Sequence, residues 1–298
     1  MRFRSVLLTL ALAACEPDLP TDDGLVTAPR VLAVRGDPAE AKPGTAVTYT
    51  AFVALPDGSA TAPPIAWAYC TAPKPPGENN VVSPACLGPS STVPAGSGPV
   101  ITAEIPSTAC ALFGPDTPPG GFRPRDPDDT GGYYQPLRAE LAGSEPAFHL
   151  ERLLCDLGMA PAEIATTFAA EYTPNQNPHL MPLSASIAGV TVSFDAIPKG
   201  TRVRVVASWS SGDAETFSYF DRTTESVTTR REAMSLAWYV SAGQLDVATT
   251  GRAEADFALS TDNVWTTPSS GGHATLWVVL RDSRGGVDFA VYDAQIVP

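Results

Sequence analysis

Residues 274–280 (ATLWVVL), continued through Arg281-Asp282-Ser283-Arg284-Gly285-Gly286 into residues 287–292 (VDFAVY), form the stretch that decides the fold. A strand with one solvated face alternates apolar and polar residues. This run is apolar on both faces, so it belongs inside a sheet. A charged turn ending in two glycines between two such runs is a β-hairpin signal. Working outward, residues 201–209 (TRVRVVASW) set Val203, Val205, Ala207 and Trp209 against Arg202, Arg204 and Ser208. That period of two is a half-buried strand. Leu236, Trp238 and Val240 repeat it in SLAWYV. No helical period competes, and strands separated by turn clusters predict an antiparallel sandwich.

The order AWYVSAG, then NVWTTP, then TLWVVLRDSRGGVDF resembles bacterial Ig-like and PKD-like modules over about residues 236–297. The resemblance implies a central Trp-bearing strand and a turn joining the last two strands. It departs from antibody-type domains, because no cysteine lies in this half. Trp238, Trp265 and Trp277 are then expected in the core.

The first half opens in a similar way. Residues 30–35 and 45–55 read as strands, Pro43-Gly44 and Pro56-Asp57-Gly58 as turns, and Ile65, Trp67 and Tyr69 alternate up to Cys70. This order resembles the first three strands of another Ig-like sandwich. Where return strands should follow, residues 71–136 are rich in Pro, Gly and Ser. Of the chain's 30 prolines, 22 lie between Pro17 and Pro136, which marks a composition shift partway along. We expect a disulfide-stapled insertion there, with residues 100–105 as one strand. Residues 147–154 (AFHLERLL) fit a strand better than a helix. Residues 161–172 are the best helix candidate: Pro161 suits the first position, Glu163 the positive end, and Ile164, Phe168 and Tyr172 share a face. Thr173-Pro174-Asn175-Gln176-Asn177-Pro178 stops it and makes the joint between domains.

The expected fold is therefore all-β: two Ig-like antiparallel β-sandwich domains, the first with a long disulfide-bonded Pro/Gly-rich insertion and a short helix before the second. The boundaries are a signal peptide at 1–14, a lipidated acidic tether at 15–28, an Ig-like domain at 29–173 and an Ig-like/PKD-like domain at 174–298.

The address comes from MRFRSVLLTLALAAC. Arg2 and Arg4 precede an apolar run from Val6 to Ala14 that is too short to span a bilayer, which needs about 20 residues. Leu12-Ala13-Ala14-Cys15 resembles the lipobox of bacterial lipoproteins. The resemblance implies cleavage before Cys15 and a diacylglycerol and palmitate anchor on that thiol, with no membrane affinity required of the body. Glu16, standing where an Asp would retain such a protein in the inner membrane, implies the outer membrane of the cell envelope. Residues 16–28 (EPDLPTDDGLVTA) are acidic and poor in apolar surface, and read as a solvated tether.

With Arg2 and Arg4 removed, the 19 basic residues fall to 17 against 32 acidic ones. That balance opposes nucleic acid, which needs phosphates neutralised by Lys and Arg. Cys70, Cys86, Cys110 and Cys155 remain, an even number in an exported chain, with three connectivities. Sequential pairing closes the shortest loops and favours Cys70–Cys86 and Cys110–Cys155, contributing roughly 3 and 4 kcal/mol in the chain-entropy model. No CxxC occurs and the three histidines are isolated, so no metal is expected at cysteine or histidine. No GxSxG, HExxH or P-loop is present, and no catalytic residue is assigned.

Asp126, Asp128 and Asp129, followed by Tyr133 and Tyr134, form the densest polar segment. Three carboxylates could ligate Ca²⁺, although the spacing is not that of an EF-hand. The tyrosines could stack on a sugar, though packing in the fold is the plainer reading. Asp282 and Arg284 are expected to form a weak exposed pair across the final hairpin. Arg230-Arg231-Glu232 reads as a charged loop. The function these features support is a lipid-anchored envelope protein acting as a structural or protein-interaction module on an envelope protein or glycan. A Ca²⁺-dependent carbohydrate-binding surface lipoprotein is the alternative.

Overall fold

The computed structural model describes residues 24–59, 63–73, 82–116, 127–158 and 160–298. Cys15, most of the tether and Asp126 lie outside them.

The first sandwich uses β1 (Arg30–Asp37), β2 (Glu40–Ala41), β3 (Ala46–Ala54), β4 (Ile65–Cys70), β5 (Thr92–Ser97), β6 (Val100–Glu104), β7 (Tyr133–Leu141) and β8 (Ala147–Leu153). One sheet has the order β1-β3-β6 and the other β2-β8-β7-β4-β5. Alternation sets the inner faces: Val47 and Tyr49 of β3 meet Ile65, Trp67 and Tyr69 of β4 and Leu137, Ala139 and Leu141 of β7. Two short helices follow this pattern, α1 (Ala109–Phe113) after β6 and α2 (Ala162–Glu171) after β8.

The second sandwich contains β9 (Ser184–Ile187), β10 (Val190–Val192), β11 (Ile197–Pro198), β12 (Arg202–Ser208), β13 (Thr216–Asp221), β14 (Ser226–Arg231), β15 (Met234–Val240), β16 (Gln244–Leu245), β17 (Thr249–Arg252), β18 (Ser260–Thr266), β19 (Gly272–Asp282) and β20 (Val287–Val297). Its sheets run β10-β9-β12-β18-β16 and β11-β20-β19-β15-β17, and β13-β14 form a separate hairpin. The opening stretch of sequence is the β19–β20 hairpin, with β19 paired along both edges and packed against a separate core on each face, which is why it can be apolar on both faces. Both sandwiches share a signature. A two-residue strand, β2 or β11, pairs parallel to the last strand, β8 or β20, while the other ladders among the described residues are antiparallel, apart from a single parallel bridge between Leu25 and Val240. This is an Ig-like strand order, and the fold class is all-β as expected.

The two sandwiches stack as four sheet layers. Leu276, Val278 and Leu280 face the second core with Trp238 and Trp265. Their alternates Trp277 and Val279 face outward, against Leu32, Ala33 and Ala54 of the first sandwich. Phe52 and Phe289 stack there with ring centroids 4.3 Å apart. Each large buried side chain, such as Trp277 and Val279, contributes roughly 1.5–3 kcal/mol, and the half-buried Phe52 and Phe289 add to it, so a third apolar core holds the sandwiches together. Trp277 belongs to that middle core, not to a sandwich interior.

Four local expectations are corrected. Residues 24–26 are not solvated tether: Gly24 O accepts from Val240 N, Val26 N donates to Val240 O, and Val26 is 2% exposed in the middle core. Leu25-Val26 supplied the apolar surface that the acidic composition of the segment obscured. The Pro-rich insertion contains, besides the expected strand at 100–105 (β6), a further return strand, β5. Pro94 and Gly96 hide β5 from pattern reading, and an edge strand with a bulge opposite Trp67/Ala68 tolerates them. Arg230 and Arg231 lie in β14, not in a loop. Pro161 sits at the N-cap, with the helix starting at Ala162.

Both disulfides join the sequential pairs. Cys70–Cys86 ties the end of β4 to the turn before β5, and Cys110–Cys155 ties α1 to the chain leaving β8, with Cα separations of 5.4 and 5.8 Å.

Candidate functional site at the junction of the two sandwiches

The segment between α2 and β9 carries polar residues that bond both sandwiches. Asn175 N donates to Glu40 Oε2 at 2.8 Å, and its side-chain amide donates to Asp282. Asn177 Nδ2 donates to Gly36 O at 2.7 Å, while its Oδ1 accepts from Val287 N at 2.8 Å. Leu180 N donates to Asp288 Oδ2, and Asp288 also pairs with Arg35 of β1 at 3.2 Å. Asn177 is suited to this because its one short, neutral side chain offers both a donor and an acceptor, whereas Asn175 bridges with its backbone N–H on one side and its side-chain amide on the other.

Two buried arginines anchor the seam. Arg152, 2% exposed, donates from Nη1 to Thr130 Oγ1 at 2.7 Å and to Tyr134 OH at 2.8 Å, and its Nε lies 3.3 Å from Glu40 Oε1. Tyr172 OH, at the end of α2, donates to Glu40 at 2.8 Å. Arg284, fully buried, donates from Nε to Glu232 Oε1 and from Nη2 to Glu215 Oε2, both at 2.6 Å. Its Nη1 donates to Thr173 O, and its guanidinium lies 4.6 Å from the centroid of Phe217. A buried cation needs this full set of acceptors to offset lost hydration.

The expected exposed Asp282–Arg284 pair is therefore overturned. Asp282 Oδ1 instead accepts from the backbone N–H groups of Arg284 and Gly286, which shapes the turn. Gly286 is required by close approach, since a Cβ there would meet the Asp282 carboxylate and Gln176 O. Glu232, expected in a loop, is fully buried. Burial pushes its carboxyl up to about 7, and the neighbouring Asp282 charge adds to this. Burial also raises Asp282 and Glu215. Three acids around one guanidinium make retention of a proton near neutrality the physical consequence.

The Asp-rich segment abuts this seam. Asp128 Oδ1 accepts from Thr130 N, Thr130 Oγ1 and Gly132 N at 2.9, 2.7 and 2.7 Å, and Oδ2 accepts from Tyr134 OH at 2.7 Å. Asp129 O accepts from Arg230 of the β13–β14 hairpin. Tyr133 is buried in the first core, and the Tyr134 hydroxyl lies between Asp128 and Arg152. The structure thus brings Asp128, Tyr134 and Arg152 together and separates Tyr133 from them. Among the described residues no three His, Cys, Asp or Glu side chains gather as a metal would require. No described helix is long and apolar enough to cross a membrane.

Sequence reasoning missed Glu40, Arg152, Asn175, Glu232 and Arg284 as a group. The one available signal was the run of Asn and Pro after the helix, already read as a joint.

No family model matches the chain, and no curated protein matches it. Among solved structures the chain is similar to Clostridium thermocellum CbhA fibronectin(III)-like modules, at 12% identity and TM-score 0.25, covering 89% of this chain and 94% of that one. It is also similar to the Yersinia pseudotuberculosis adhesin InvE, at 11% identity and TM-score 0.23, covering 89% and 58% respectively. Likeness at this level carries no argument, and the fold assignment rests on strand order and register.

Proposed function

We propose that this chain is a lipid-anchored cell-envelope protein that works as a structural or protein-interaction module. The observation that carries the reading is the junction: a third apolar core and a buried polar seam lock two sandwiches into one four-layer body. Such a body is suited to presenting surfaces at a set distance from an anchor, because loops on a rigid scaffold keep their geometry. The lipobox-like end at Cys15 supports the anchor, and Glu16 supports the outer membrane. Gly24 is already held against β15. Nine residue-to-residue steps (15 to 24) then separate anchor from body, a reach of at most about 32 Å at about 3.6 Å per step. Two acyl chains make such an anchor stable without help from the body. No catalytic role is part of the proposal.

A Cys15→Ser variant tests the anchor. It is expected to leave the membrane fraction, and retention there would overturn the lipobox reading. Crosslinking in the native cell tests the module. A stoichiometric envelope protein is expected, and a chain recovered alone would remove the interaction reading.

A further inference from the structure

A cavity of about 430 Å³ opens between β1, β8 and the β19–β20 turn, with Val34, Phe148, Leu150, Arg281, Ser283 and Gly285 in its wall. Its volume lies in the range of ligand pockets. Two of its sides are strand edges. β1 ends its sheet, and β8 pairs on its outer edge with β2 at Arg152 and Leu153, which leaves residues 147–150 without a strand partner on that edge.

Backbone direction confirms that these edges face outward. Pro136 stands opposite Leu150 and has no N–H, so Leu150 and, by alternation, Phe148 turn their amide groups away from β7. On β1, Gly36 O accepts from Asn177 and Leu32 O from Arg281, both outside the sheet. Val34, two residues from Gly36 in regular register and beyond the bulge at Leu32, turns its N–H and C=O the same way.

Charge distinguishes one end. Arg281 Nη2 donates to Leu32 O at 2.9 Å, and Arg281 has no carboxylate partner among the described residues. The nearby carboxylates are otherwise engaged: Asp128 by Thr130, Gly132 and Tyr134, and Asp282 by Arg284, Gly286 and Asn175. The cavity therefore combines outward-turned backbone groups at Val34, Phe148 and Leu150, apolar side chains and one cation lacking a counter-charge.

We propose that this groove is a strand-addition site for an extended peptide of an envelope partner, with a peptide carboxylate on Arg281. The proposal rests on the interaction-module reading and names its site and partner chemistry. Backbone pairing to Phe148, Leu150 and Val34 supplies the attachment, as in β-augmentation generally. A segment of about four residues, at roughly 3.3 Å each, spans the open length of β8.

The test is amide hydrogen exchange by NMR on the full mature chain, with three peptide probes. The first is a pool of tetrapeptides of Val, Thr and Glu with free carboxyl ends. The second replaces Glu by Gln and amidates the ends, and the third is the first pool N-methylated at alternate residues. The acid pool is expected to slow exchange at Val34, Phe148 and Leu150 at least 10-fold. The neutral pool should need at least 10-fold higher concentration, and the N-methylated pool should protect nothing. Arg281→Gln, with its fold checked by circular dichroism, should bring the acid pool to the level of the neutral one. Equal action of acid and neutral pools, protection at other amides, or none at all overturns the proposal. Partner crosslinking unchanged in Arg281→Gln and in Val34→Pro would also overturn it while leaving the module reading intact. Groove protection in a chain that captures no partner would remove the module reading and keep the site.

Discussion

Arg284 and Glu232 are both fully buried, and the guanidinium Nε of one donates to the carboxylate Oε1 of the other at 2.6 Å. They come from the last hairpin and from the chain just after β14. Together they close the seam on the side of the second sandwich, and several consequences can be measured.

Removing one partner leaves an uncompensated buried charge, which costs about 3–5 kcal/mol. Arg284→Ala should therefore lower stability by that amount in urea unfolding. The Glu232→Leu/Arg284→Met double variant should recover a large part of it. A single-variant loss below about 1 kcal/mol would show that the pair is not desolvated.

The folded protein holds the Glu232 proton to about pH 7, against 4.5 for the free group, because of burial first and the Asp282 charge second. A raised folded value means that this contribution is full below about pH 4.5 and is lost as pH rises to 7. Stability should thus fall from pH 5 to pH 8, by an amount on the order of 1–3 kcal/mol. Glu232→Gln should flatten the profile, and an unchanged slope in that variant would assign the effect elsewhere.

Asn175 and Asn177 each bond both sandwiches. Replacing both by Ala keeps the backbone bond from residue 175 to Glu40 but removes the side-chain bonds to Asp282, Gly36 O and Val287 N, at about 1–3 kcal/mol for each buried group left unpaired. Calorimetry should then resolve two transitions where the parent shows one. A single shifted transition would mean that the apolar middle core suffices for cooperativity.

The disulfides enclose loops of 16 and 45 residues. In the chain-entropy model Cys110→Ala/Cys155→Ala costs about 4 kcal/mol and Cys70→Ala/Cys86→Ala about 3. Chemical denaturation of the two double variants gives the order directly, and a reversal would place the effect in native-state packing.

Asp128 already accepts four hydrogen bonds, three from its own loop and one from Tyr134 of β7. Millimolar Ca²⁺ should leave the melting temperature unchanged. A rise would support the carbohydrate-binding alternative and show that the loop rearranges to coordinate the ion.

Legibility followed the range of the interaction. Val203, Val205 and Ala207 announce their strand because each reports its own face through its immediate neighbours. β5 escaped notice because Pro94 and Gly96 break that alternation, and only its place on an edge makes them tolerable. The helix stripe of Ile164, Phe168 and Tyr172 was readable, and Phe168 and Tyr172 stack at 4.8 Å. That the Tyr172 hydroxyl reaches Glu40, 132 positions away, was not.

By itself, then, the chain's sequence determined the strand period, the all-β class, the sequential cysteine pairs and the helix-and-Asn-Pro joint. All of these depend on residues near one another along the chain. Tertiary structure alone decided that Arg284 and Arg152 are buried, that Asp128 spends its oxygens on its own loop and on Tyr134, and that Val26 is core. Whether a charge is solvated or sealed depends on partners brought from afar, 52 positions for Arg284 and Glu232 and 253 for Arg35 and Asp288. Local pattern holds no record of such partners, because hydrophobic periodicity reports which face turns inward and not which charges meet there.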